Sequence, residues 1–211
     1  MESKENKIKN LHDLTFLEDG NFTQKDEIVK RISEQIMEFN IEKSIKSLVD
    51  YVKNIKFSDI RKNVDFRKRT ASDIIKSEYV TGCTDNALVF AAISRQLKIP
   101  AKYVETFEED WLEHGSLEYV QGHVFIDLKI ENSWKIYDPI KGPRLYNEYI
   151  TNGKHYTVIG KGLDFSELYL KKLDGGYEST AICIDNVDLM KGSAEKFMKK
   201  LKLQKMSDFK I

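Results

Sequence analysis

The segment that most constrains the fold is a run of apolar residues long enough to cover every side of a helix. Residues 81–100 read Thr-Gly-Cys-Thr-Asp-Asn-Ala-Leu-Val-Phe-Ala-Ala-Ile-Ser-Arg-Gln-Leu-Lys-Ile-Pro, and positions 87–93 are all apolar. A helix that is apolar all round is stable only in the centre of a domain. Thr84 or Asp85 is predicted to cap its first turn, because a short side-chain oxygen accepts hydrogen bonds from the unpaired amides there. The pattern therefore predicts a buried helix with Cys83 at its start.

The position of Cys83 allows two interpretations. The unpaired amides and the dipole at a helix start favour a thiolate over a thiol, which would make this cysteine reactive. Free cysteine is also among the most commonly buried residues, and it usually packs as a small hydrophobic side chain. The choice between them depends on which residues follow downstream.

A strand with a histidine follows about forty residues later, at positions 122–130. Its residues alternate between two faces, as in a half-buried strand. One face carries Val124, Ile126, Leu128 and Ile130, and the other carries His123, Phe125, Asp127 and Lys129. Residues 134–138 are predicted to be the hairpin partner, and Pro139 would end the pairing.

A nucleophilic cysteine needs a base to accept its proton, and the base needs an acceptor that fixes its tautomer. Cys83, His123 and Asp138 supply these three groups. His123 and Asp138 can meet only if they lie on one face of the hairpin. A two-residue turn at Glu131–Asn132 would pair Phe125 with Asp138 and satisfy this condition.

The same register has a consequence for packing around the site. Trp134, Ile136 and Phe125 are expected to pack beside the site against the helix that begins at Cys83.

These motifs together resemble the transglutaminase-like superfamily of papain-like cysteine enzymes. The resemblance covers roughly residues 70–140 and rests on Gly82-Cys83, residues 97–104, Gly122-His123, Trp134 and Asp138-Pro139. It implies a nucleophile at Cys83, a base at His123 and an orienting carboxylate at Asp138, with no cofactor and no metal. Lys98 stands where the family often has glycine, so the helix is expected to lack its usual left-handed cap.

The order of predicted elements indicates an α+β fold, in which the buried nucleophile helix packs on an antiparallel sheet. Residues 1–55 are predicted to form an N-terminal arm and packing helices, and residues 56–211 the catalytic core, as one compact domain overall. The first helix is expected to begin at Thr23 and to bury a stripe ending at Phe39, and a second helix begins at Ile41. Residues 70–77 are predicted to form a short capped helix.

Other segments are assigned more coarsely. Strands are expected at 102–107, 157–159 and 178–185, and a final helix from Ser193. The acidic segment 108–119 is too irregular for a buried element and is expected to border the cleft, where Trp111 and Tyr119 either stack on a substrate or anchor the loop. The isolated histidines His12, His114 and His155 are not expected to bind metal. The basic cluster is interpreted as a solvated face: Arg61, Lys62, Arg67, Lys68 and Arg69.

Composition excludes several classes of function. Thirty-four basic and 34 acidic residues leave no net charge, which argues against a general nucleic-acid binder. No run approaches the roughly 20 apolar residues of a membrane span, and the first nine residues lack the apolar core of a secretory signal, so a cytoplasmic protein is expected.

Cys183 lies in a strand-like run, so both cysteines are predicted to be free thiols, with Cys183 inert.

The expected activity is attack of Cys83 on a peptide or protein amide through a thioester, followed by hydrolysis or acyl transfer. The absence of matched flanking domains favours hydrolysis. Three alternatives stay open: a non-catalytic peptide-binding module on the same fold, a protein cross-linking transglutaminase, and an α+β domain whose Cys, His and Asp meet by coincidence. The sequence indicates no oligomeric state.

Overall fold

The computed structural model describes residues 13–111, 121–144 and 147–166, together with the backbone of residues 112–114, 172–173 and 176–177. The helices are α1 (Glu27–Ile36), α2 (Ile41–Lys53), α3 (Lys62–Asp65), α4 (Ala71–Ser77), α5 (Cys83–Gln96) and α6 (Glu109–His114), preceded by a 3-10 turn at Thr15–Leu17. The strands are β1 (Lys56–Phe57), β2 (Tyr79–Val80), β3 (Ala101–Glu108), β4 (Gly122–Ile130), β5 (Ser133–Asp138), β6 (Gly142–Pro143), β7 (Ile150–Thr151), β8 (Lys154–Gly162), β9 (Lys172–Leu173) and β10 (Gly176–Tyr177).

Six of these strands form an antiparallel sheet in the order β6-β5-β4-β3-β8-β7. β1 and β2 form a separate parallel pair, and β9 and β10 an antiparallel one. Most of the helices precede the six-stranded sheet in the chain, and most neighbouring strands of that sheet are consecutive in sequence, except that β3 pairs with β8. This is the predicted α+β architecture, with α5 between the other helices and the sheet.

α5 is buried on every side, as its apolar run predicts. Each residue from Thr84 to Arg95 is buried. Arg95 is fully buried too, and its guanidinium donates to the carbonyl oxygens of Ala101 and Leu163 and to Oγ1 of Thr23. A charge buried at this depth is tolerated because several acceptors surround it.

The predicted caps of α5 are wrong at both ends. Gly82 is the N-cap residue and no side chain caps the first turn, because the carboxylate of Asp85 is engaged elsewhere. At the other end Lys98 itself adopts the left-handed conformation, with φ of +65°. The amide of Lys98 donates to the carbonyl of Arg95 and that of Ile99 to Ser94, which is the Schellman arrangement usually formed by glycine.

The two faces of β4 have different neighbours. Val124, Ile126 and Leu128 belong to the core that contains α5. Phe125 and Ile136 form a separate cluster on the opposite face, with Val104 and the partly buried Tyr149, Tyr156 and Val158. The expected packing of Trp134, Ile136 and Phe125 against α5 is therefore wrong, because strand alternation turns these residues away from the helix. Trp134 instead contacts Phe16 and donates its indole N–H to Asp13.

The N-terminal helices differ from prediction mainly at their ends. α1 begins at Glu27, because Asp26 accepts from the amides of Ile28 and Val29, and it ends at Ile36. Phe39 lies beyond that end and is 87% exposed, so it is not part of the buried stripe. α1 and α2 pack into the same core as α5. The division at residue 55 stays a prediction.

Of the segments beside the site, the short helix α4 follows prediction and the acidic segment after β3 does not. Thr70 and Asp73 form a capping box at the start of α4. Where an irregular segment was expected, α6 forms, and Trp111 is buried against Phe107, so this aromatic residue anchors the segment. Tyr119, Cys183, the strand at 178–185 and the helix from Ser193 lie outside the described residues. Among the residues that are described, no helix has both the length and the apolar character needed to cross a bilayer.

Candidate active site

Cys83 is the first residue of α5. The buried Arg69–Asp85 ion pair joins the segment before Cys83 to the segment after it. Oδ2 of the fully buried Asp85 accepts from the amide (2.8 Å) and hydroxyl (2.9 Å) of Thr81 and from Nη2 of Arg69 (2.5 Å). Nη1 of Arg69 donates to Oγ of Ser77 at 2.7 Å and to the carbonyl of Tyr79 at 3.3 Å. The Arg69–Asp85 pair therefore connects residues 77–81 to the first turn of α5.

This arrangement also determines what the helix start offers. Since Asp85 accepts from Thr81, no side chain in the described part of the chain caps the amides of the first turn of α5. Such amides carry partial positive charge and can hold an anion. The thiol of Cys83 lies next to them and is partly exposed.

His123 and Asp138 meet across the β4–β5 hairpin. Nε2 of His123 lies 3.1 Å from Oδ2 of Asp138. Ile130 pairs with Ser133 and Ile126 with Tyr137, and the same register sets Phe125 opposite Asp138. The predicted turn at Glu131–Asn132 and the predicted register are confirmed.

Asp138 is fully buried, and its oxygens have three partners. Oδ1 accepts from the amide of Ile140 at 3.1 Å, and Oδ2 accepts from the hydroxyl of Thr151 at 2.8 Å as well as contacting His123. Burial by itself raises the pKa of Asp138, but the hydrogen bonds from these partners and the charge of His123 outweigh it and lower the pKa. The carboxylate is therefore kept ionised.

Burial lowers the pKa of His123, but hydrogen bonds and charge from Asp138 and Cys83 outweigh it and raise the pKa to about 9. Nε2 of His123 contacts Asp138, so Nδ1 is the ring nitrogen available to the Cys83 thiol. Phe125 and Tyr156 enclose the ring, with centroid distances of 4.8 and 5.8 Å.

A second buried ion pair lies behind the site. Arg67 and Glu105 are hydrogen-bonded and nearly inaccessible to solvent, and Tyr103 donates to Glu105 at 3.1 Å. Arg67 and Arg69 therefore do not belong to a solvated basic face, and that interpretation is wrong for both. Their acidic partners are 38 and 16 residues away in the chain, so local charge pattern could not reveal them.

A cleft of about 220 Å³ opens at these residues. Cys83, His123 and Asp138 line it together with Gly82 and Asn86. Phe57, Pro139 and Ile140 complete the lining. The three predicted site residues thus come together in one cleft, whereas Asp127, on the same strand face as His123, pairs with Lys161 and Tyr149.

Sequence reasoning missed three groups that support or border the site. Thr151 reaches Asp138 from β7, the Arg69–Asp85 pair holds the start of α5, and Phe57 reaches the cleft from β1. None belongs to a motif, and each acts through a contact between distant segments. In the described residues there is no group of three or more His, Cys, Asp or Glu side chains arranged for a metal ion.

Comparison with known proteins places this geometry in context. A sequence model of the transglutaminase-like superfamily matches residues 26–139, more than half of the chain. No curated protein matches. Among solved structures, a protein described as a candidate cysteine protease from Cytophaga hutchinsonii is similar, with a TM-score of 0.57 and 19% identity. The alignment covers 74% of this chain and 48% of that protein, so this chain spans about half of the length of that relative. At such low identity the likeness shows a shared fold.

Proposed function

This chain belongs to the transglutaminase-like superfamily, and from that premise we propose that it is an enzyme that attacks an amide or peptide carbonyl with Cys83 and forms a thioester. The observation that carries the proposal is that Cys83, His123 and Asp138 line one cleft, where Nε2 of His123 lies 3.1 Å from Oδ2 of Asp138 and both neighbours raise the pKa of His123. Each group has the neighbour that its role requires.

In the first step the Cys83 thiolate forms a bond to the carbonyl carbon, and the carbonyl electron pair moves onto oxygen. The uncapped amides at the start of α5, that of Cys83 among them, would stabilise this oxyanion. His123, present as the imidazolium, gives its proton to the departing amine as the carbon–nitrogen bond breaks. The product is a thioester on Cys83 with a neutral imidazole beside it.

In the second step water attacks the thioester while His123 accepts one of its protons. The carbon–sulfur bond breaks, a carboxylic acid leaves, and the thiolate–imidazolium pair is restored. Asp138 keeps the imidazole in the tautomer that both steps need. If a primary amine takes the place of water, the same site forms a new amide, which is the cross-linking alternative.

Two features favour an enzyme over a peptide-binding module on the same fold. All three reactive groups are retained, and the pKa of His123 is raised to about 9 by its two partners, which suits an acid that protonates an amine. A binding module has no requirement for a buried carboxylate that keeps a histidine protonated. Hydrolysis and transfer differ only in the acceptor, so the experiment below tests both.

The test uses a library of peptidyl aminomethylcoumarin amides and glutamine-containing peptides, each with and without the amine dansylcadaverine. Wild type is expected to release coumarin or to incorporate the dansyl amine, and mass spectrometry of quenched reactions should detect the acyl group on Cys83. Cys83→Ala should do neither. Saturable binding of peptides without turnover in the wild type, or equal turnover by Cys83→Ala, would overturn the proposal.

A further inference from the structure

The cleft at Cys83 has a partly apolar lining. Its apolar side chains are those of Phe57, Pro139 and Ile140. Within the described part of the chain, the charged residues that line it are His123 and Asp138, which are hydrogen-bonded to each other. A charged substrate side chain entering here would lose hydration without gaining a counter-charge.

The segment that carries Phe57 is hydrogen-bonded to the segment just before Cys83. β1 pairs in parallel with β2, and Phe57 lies opposite Val80. The amide of Ser58 donates to the carbonyl of Val80 at 2.9 Å, three residues before Cys83. The backbone of Phe57 therefore has a defined position relative to Cys83.

Phe57 is 63% exposed although it lines the cleft. Covering an exposed aromatic ring with an apolar group releases roughly 25 cal/mol for each Å² of apolar surface removed from water. The cleft volume of about 220 Å³ is below the roughly 300–1,000 Å³ of pockets that enclose a drug-sized ligand. It accommodates one side chain next to the reacting carbonyl.

We propose that this cleft selects substrates in which the residue that supplies the attacked carbonyl has an apolar side chain, and that Phe57 determines this preference. The inference rests on the proposed function, because it assumes that a carbonyl is presented to Cys83. Ile60 provides a matched control, since it lies in the same segment and is 92% exposed but does not line the cleft.

The preference can be measured without turnover. N-acetylalanyl fluoromethyl ketones ending in Leu, Glu or Lys are reacted with the full chain, and the rate of Cys83 modification is followed by intact-protein mass spectrometry. Each rate is divided by the rate with iodoacetamide, which has no side chain. The Leu reagent is expected to react roughly ten-fold faster than the Glu and Lys reagents, a typical range for an apolar pocket.

Phe57→Ala should bring the ratio of the Leu rate to the Glu rate close to one, Phe57→Leu should retain most of it, and Ile60→Ala should leave it unchanged. Equal rates for the three reagents in the wild type, or a full preference in Phe57→Ala, would overturn the inference. A protein that cleaves amides without this preference contradicts only the inference. One that shows the preference but turns over no amide contradicts only the proposed function.

Discussion

Oδ2 of Asp138 lies 3.1 Å from Nε2 of His123, and the two residues are brought together by a two-residue turn in the hairpin between them. The pair depends on register alone, because a shift of one residue would turn one of the two side chains to the other face of the sheet. Thr151 then adds a hydrogen bond to the same carboxylate oxygen from a third strand.

Asp138→Asn is expected to leave a folded protein with turnover reduced by about 10²–10⁴-fold, because the amide no longer stabilises the imidazolium or fixes its tautomer. Steady-state rates on a substrate identified in the library would measure this. Asp127→Asn is the matched control: Asp127 is on the same strand face but pairs with Lys161, and its replacement should change turnover by less than about two-fold. Full activity in Asp138→Asn would require another orienting group.

Cys83 should be alkylated by iodoacetamide far below the pH at which ordinary thiols react, while Cys183 stays unmodified. The Cys83 thiol lies at the uncapped start of α5 and lines one cleft with His123, a setting typical of reactive cysteines, so labelling up to roughly 100-fold faster than that of an ordinary thiol is expected. His123→Ala should remove most of that advantage. Peptide mapping after short labelling at pH 6.5 distinguishes the two cysteines, and equal labelling of both would contradict the assignment.

The raised pKa of His123 predicts how stability depends on pH. The folded-state pKa is about 9, against 6.5 for an ordinary histidine, so the charged form contributes stability that is fully present below about pH 6.5. This contribution, at most on the order of 3 kcal/mol, is lost as pH rises through about 9. Urea unfolding from pH 6 to 10 should show the advantage of wild type over His123→Gln shrinking. The same substitution at the exposed His155 is the matched control.

Asp85→Asn should destabilise the fold by about 3–5 kcal/mol, since it leaves the Arg69 guanidinium buried without its counter-charge. The double variant Arg69→Met/Asp85→Asn should be less destabilised than the single one, and chemical denaturation measures both. Asp50→Asn, which breaks the exposed Lys46–Asp50 pair, should cost less than about 0.5 kcal/mol. If the effects of Arg69→Met and Asp85→Asn, each measured alone, add up to that of the double variant, the pair is not coupled.

Lys98→Gly should raise stability by about 0.5–1 kcal/mol, because glycine adopts the left-handed conformation that lysine adopts here at a cost. For a chain of this length the gain corresponds to a rise of about 1–4 °C in Tm, which calorimetry resolves. Gln96→Gly, two residues earlier inside α5, should instead lower stability by up to about 1 kcal/mol. A loss of stability in Lys98→Gly would mean that its side chain contributes more than its strained backbone costs.

Local pattern determined much of this protein. The unbroken apolar run required a buried α5, alternation assigned the two faces of β4, and the turn between Ile130 and Ser133 set the register that joins His123 to Asp138. These features depend on the period of each element and on one short connection, so neighbouring residues are sufficient to predict them.

Only the tertiary structure decided which distant groups support that site. It paired Arg67 with Glu105 and Arg69 with Asp85, brought Thr151 to Asp138 and placed Phe57 in the cleft wall. It also decided which face of β4 packs on α5, and it engaged the carboxylate of Asp85 with Arg69 and Thr81. These outcomes depend on segments that are far apart in the chain and pack together only in the folded core. A charge buried there is stable only beside a counter-charge or hydrogen-bond partners.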